Sequence, residues 1–188
     1  MKLITTSKSS ITAEGAFHQD KMVVANEFET FGKYMKACYQ QLELAYPKFF
    51  KMDGLCKLCF IGTEFLLKQH SLSTYAPEKI AIILQNQHSS LVSDTKHFNS
   101  IKDKENYFPS PSVFVYTLPN IMIGELCIRH GITGEGTCFL PSDDPEFIDK
   151  YIQALFEDEG YQACITGKVD YTEKDYHAEL QLVERATE

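Results

Sequence analysis

The chain has 188 residues, 44% of them hydrophobic, with 13 Phe and 10 Tyr, which is enough apolar material for one domain with a sizeable core. Its formal net charge of -8 argues against the clustered basic face of a nucleic-acid binder, and no apolar run approaches the roughly 20 residues of a membrane span. The opening Met1-Lys2-Leu3-Ile4-Thr5-Thr6 is too short and polar for an export signal, so a cytoplasmic setting with six reduced, mostly buried cysteines is expected.

In chain order, residues 2–6 read as a first strand. Residues 7–26 are mixed and polar and read as a loop or short hairpin around the apolar patch Met22-Val23-Val24-Ala25. Apolar residues at helical spacing (Phe31, Tyr34, Met35, Cys38, Leu42) predict a helix over 28–45, interrupted at Pro47. Asp53 is placed to cap a second helix running to Gln69. Cys56 and Cys59 fall three apart on that helix. They share one face and read as core residues rather than as half of a zinc site, because the sequence supplies no second ligand pair.

The short β-branched run Ile80-Ala81-Ile82-Ile83-Leu84 has the signature of a strand buried on both faces. A short helix follows over 91–101. The Pro/Ser loop 109–112 leads to a helix over 117–130 that Gly131 closes. A strand over 136–140, a helix over 145–159 ended by Gly160, a buried strand over 161–167 and an alternating strand over 176–183 complete the chain. The acidic excess between Asp143 and Glu159 reads as a solvated helix face. Strands alternating with helices favour a mostly parallel sheet covered on both faces, with the last strand added antiparallel.

The stretch Pro109-Ser110-Pro111-Ser112-Val113-Phe114-Val115-Tyr116-Thr117-Leu118-Pro119-Asn120, continued by Gly124-Glu125, Ile128-Arg129, Gly131 and Gly134, closely resembles the PSP-x-F-x-YTLPN-x-x-x-GE-x-x-IR-x-G-x-x-G segment of the β-ketoacyl synthases. Further resemblance lies in Lys51-Met52-Asp53 with the helix after it, in 78–84, in 86–95 and in 148–167, so that it covers about 1–171. It implies a thiolase-like half-fold, a single domain over 1–188 akin to the N-terminal half of such a synthase. It implies no cofactor and no metal. The implied partners are a second copy of the chain or an active ketosynthase, and an acyl carrier protein, with no nucleic acid. In the family, halves pair through the sheet and the helix near this motif, which makes Phe114, Tyr116, Pro119 and Asn120 candidate interface or pocket residues.

Three departures separate the chain from that family. The family's nucleophilic cysteine sits at the N-terminus of a helix, where the helix dipole favours its thiolate. The matching turn here is Ser142-Asp143-Asp144-Pro145, whose carboxylates form no acyl thioester and oppose a nearby thiolate. The two histidines and the lysine of the family's C-terminal half have no counterpart in these residues. The glycines of the nucleophile turn are also replaced.

Cys138, about five residues earlier, is the candidate for a relocated nucleophile, against its reading as a small core residue. Cys127, inside a helix, is a weaker candidate. His130 reads as a cation at a helix end, and no spacing pairs His88 or His97 with Ser89 or Ser90. Asp143 and Asp144 read as helix-capping residues rather than paired acids or Mg²⁺ ligands. The expected function is therefore a non-catalytic, synthase-like accessory protein of fatty-acid, polyene or polyketide-type biosynthesis. The alternative is an acyltransferase or 3-oxoacyl-synthase subunit that uses Cys138 or is completed by a partner chain.

Overall fold

A computed structural model describes residues 2–186; Met1, Thr187 and Glu188, the ends of the expected 1–188 domain, lie outside the described residues. The first strand, β1 (Leu3–Ile11), runs well past the predicted stop at residue 6. The polar residues that suggested a loop are buried for a specific reason. Ser7 Oγ donates to the Leu66 carbonyl at 2.7 Å and Ser9 Oγ to the Gly62 carbonyl at 2.8 Å, so both hydroxyls are satisfied inside the core. β2 (Gly15–His18) and β3 (Lys21–Ala25) complete a meander through a two-residue turn. Gln19 and Asp20 both hold positive φ there, 50° and 62°, as the hairpin twist requires.

Helix α1 (Phe31–Gln41) is capped by the Thr30 side chain and is shorter than the predicted 28–45. A 3₁₀ turn over Pro47–Lys51 precedes α2 (Gly54–Leu66), whose cap is Asp53, accepting from the Cys56 amide at 2.9 Å. Most residues of α2 are buried, so it forms the centre of the core rather than a surface layer. The remaining elements are β4 (Ile80–Gln85), α3 (Leu91–Ile101), α4 (Pro111–Phe114), α5 (Ile121–His130), β5 (Gly136–Phe139), α6 (Phe147–Asp158), β6 (Ala163–Tyr171) and β7 (Tyr176–Arg185). The helix predicted over 117–130 starts at Ile121, because a residue before proline, here Leu118, is disfavoured in the helical region; the chain before it makes turns instead. The helix predicted from Pro145 starts at Phe147.

The seven strands form one sheet in the order β3-β2-β1-β7-β6-β4-β5. Only β4 pairs in parallel, with β5 and with β6; the other four pairings are antiparallel. This corrects the expected mostly parallel sheet. The excess of antiparallel pairs comes from the β1–β2–β3 meander and from β7, which inserts between β1 and β6.

Helices cover both faces. On one side Ile80, Ile82, Leu84, Ile165, Leu180 and Leu182 pack with α1, α2 and α5. On the other, Ala81, Ile83 and Cys164 pack under Ile152, Leu155 and Phe156 of α6. The alternation along β4 thus feeds two separate cores.

Candidate functional site

The motif residues meet near the start of α2. Ser110 caps α4, accepting from the Val113 amide, and Pro111 holds its first turn. Tyr116 is buried and its hydroxyl donates to Glu125 Oε1 at 3.4 Å. Glu125, also buried, pairs through Oε2 with Lys48 Nζ at 2.7 Å. Burial first, and then the Glu125 and Asp53 carboxylates, push the Tyr116 hydroxyl upward, while the bond to Glu125 raises the Lys48 ammonium. Gly131 closes α5 at φ 67°, and a Cβ on Gly134 would lie 2.3 Å from the Ile80 carbonyl. The motif is therefore a clamp that fixes the α4 loop to α5 and to the start of α2. Lys48 was not found from the sequence, because nothing local ties it to a residue 77 positions away.

The turn that matches the family nucleophile is a surface loop. Residues 140–146 are all exposed. Asp144 Oδ1 accepts from the Glu146 amide at 2.9 Å and Oδ2 from Lys150 Nζ at 3.2 Å, which holds its carboxyl below the usual range. It thus orders the turn ahead of α6, whose first flanking residue is Glu146 rather than either aspartate. Ser142, Asp144 and Pro145 line one end of a groove of about 680 Å³. Thr5, Lys168, Glu179 and Gln181 on the sheet line the other side, and none of Phe114, Tyr116, Pro119 or Asn120 does.

Cys138 sits in β5, half-buried, on the α2–α5 side of the sheet and within electrostatic reach of Cys59. Burial, and secondarily Asp170, pushes its thiol up to about 11, opposite to what a nucleophile needs. Cys127 is half-buried and its thiol is also raised by burial. Cys56 and Cys59 are buried in α2. Among the described residues no group of three or more His, Cys, Asp or Glu is placed to hold a metal ion.

The histidines go elsewhere. His88 Nδ1 lies 3.2 Å from Asp170 Oδ1, an oxygen that also accepts from the amides of Gln87 and His88. His97 packs on Phe114, centroids 5.2 Å apart. Ser90 Oγ donates to the Asp94 carboxylate. No serine–histidine pair forms at this loop among the described contacts.

Several large apolar side chains are exposed. Phe98 on α3, Phe108, Phe114 on α4, Leu118, Ile128 on α5 and Leu140 after β5 are each more than half exposed. β5 is also an edge strand, paired only with β4. A Cβ on Gly124, one turn before Ile128, would meet nothing within 4 Å. Of the candidate interface residues, Phe114 and Asn120 are exposed, Pro119 is half-buried and Tyr116 is buried. Despite the acidic total, Lys48 and Lys51 lie on one short turn, with Lys57 on α2 within electrostatic reach of Lys96 on α3.

No protein-family model matches this sequence, and no curated protein matches it. Solved structures do. A chain of the ishigamide ketosynthase/chain length factor superposes with TM-score 0.73 at 14% identity, over 99% of this chain and 63% of that one. A chain of a ketosynthase in complex with its chain length factor from Xenorhabdus doucetiae gives 0.62 at 14%, over 100% and 80%. A type II polyketide-synthase ketosynthase in complex with its acyl-carrier protein gives 0.61 at 11%, over 97% and 62%. The fold is the thiolase-like one of ketosynthase-type proteins. This chain spans less than two thirds of the length of the first of them.

Proposed function

We propose that this chain is the non-catalytic, ketosynthase-like member of a synthase pair in fatty-acid, polyene or polyketide-type biosynthesis. The observation that carries the reading is the exposed Ser142–Pro145 turn, with two aspartates where the resemblance calls for a cysteine, while Cys138, the nearest cysteine along the chain, is half-buried with its proton held.

Its partner is an active ketosynthase. The pairing face is formed by the exposed apolar residues of α3, α4 and α5 with the free edge of β5. The solved neighbours support this reading, because two of them are structures of a ketosynthase with a chain length factor. The lysines at 48, 51, 57 and 96 offer an acidic carrier protein a local basic surface on an otherwise acidic chain. Free cysteines, and no helix among the described residues long and apolar enough to cross a membrane, support a cytoplasmic setting.

Co-expression with a ketosynthase of the same host, affinity capture and light scattering test the pairing. A one-to-one complex is expected, and a monomer that captures no ketosynthase contradicts it. Gly124→Ala separates folding from pairing. With open space around the added methyl, it should stabilise the isolated chain by about 0.5–1 kcal/mol through helix propensity. It should also weaken capture by crowding the face that the partner approaches. Melting curves and titration on the same variant read the two effects separately.

A further inference from the structure

Three of the six histidines gather around the C-terminal end of α2. On one side His18 of β2 is buried, with Nε2 3.5 Å from Ser7 Oγ, the hydroxyl that holds the Leu66 carbonyl. Lys68 and His70, just past α2, lie within its electrostatic reach. On the other side His130, the last residue of α5, places Nε2 3.5 Å from Glu64 Oε1. The same oxygen already accepts from Arg129 Nε at 2.8 Å, and that guanidinium lies over the Tyr46 ring, 5.1 Å from its centroid. His70 and His130 line a cavity of about 870 Å³ between the ends of α1, α2 and α5. Its charged walls are Glu43, Glu64 and Lys68. Beyond α2 the chain has few apolar anchors, since no residue between Leu66 and Leu72 is buried.

We propose that this cluster is an acid-sensitive joint: protonation of His18 and His130 frees the C-terminal turn of α2 from β1 and α5. His18 is buried with only the Ser7 hydroxyl near its Nε2, and Glu64, the carboxylate 3.5 Å from His130 Nε2, is already engaged by Arg129. A proton gained on either ring therefore places a charge where water is scarce. Burial holds both imidazoles below their ordinary range; Lys68 and His70 add to this for His18, while at His130 Glu64 opposes it and Arg129 adds to it.

The unfolded or opened state thus takes up protons first. The stabilisation is complete above about pH 6.5, the ordinary histidine value, and is lost as the pH falls below it. Each group contributes at most about a tenfold change in the opening equilibrium per pH unit.

Hydrogen exchange on the full chain tests the joint. Between pH 7.5 and 5.5, after correction for intrinsic rates, protection of residues 62–72 should fall at least about tenfold while β4 and β6 keep theirs. His18→Gln plus His130→Gln should remove the difference. If that double variant does not fold, each single variant should remove part of it. Equal protection at both pH values, a loss spread evenly over the sheet, or a response retained without these histidines would overturn the proposal.

Discussion

An Ile128→Glu, Leu140→Asp variant is expected to fold as the parent does and to lose the proposed ketosynthase partner, with Kd raised at least about 100-fold. Both side chains are mostly in water in the single chain, 67% and 70% exposed, so charging them should change stability by no more than about 0.5 kcal/mol. In the pair they would lie at the centre of the buried face, where an unpartnered carboxylate costs several kcal/mol. Urea unfolding of the variant alone and titration against the ketosynthase make the comparison. An unchanged Kd would place the partner on another surface.

Gly167→Ala is expected to be the most damaging small substitution, costing at least about 3 kcal/mol or preventing folding. Gly167 lies in β6, between Leu84 of β4 and Leu180 of β7, and holds φ at 143°, a region that L-residues avoid. A methyl there would sit 1.9 Å from the Glu179 carbonyl oxygen, a backbone atom that has no room to move within the ladder. The damage would fall on the joint between the parallel and antiparallel parts of the sheet, and so on both cores. Denaturant unfolding reads it, and a loss under about 1 kcal/mol would show that the strand shifts to accept the methyl.

The elements that the sequence announced are those whose burial follows a simple period. β4 is a continuous apolar run because both of its faces are covered, and α3 falls within the predicted 91–101. The cap at Asp53 and the stop at Gly131 were legible because each acts within a few residues of itself. The second half of β1 was not legible. Its inward residues are serines, and their burial depends on carbonyls of α2 more than 50 positions away. The antiparallel addition of the last strand was legible, but its place was not: β7 leaves β6 by a tight turn and then pairs with β1 from the far end of the chain, and no local pattern encodes that neighbour.

At the site, the aspartate turn and the interior setting of Cys138 follow from residue type and pattern. The Tyr116–Glu125–Lys48 clamp does not, because it joins the motif to a turn that the motif does not contain.

On the proposed reading, no sulfur of this chain captures an acyl group. Intact-mass measurement after incubation with an acyl-carrier thioester, with and without the ketosynthase, tests it most directly. The expected result is an acyl adduct on the ketosynthase and none on this chain. An adduct on this chain that disappears in Cys138→Ser would contradict the account and make it an acyltransferase.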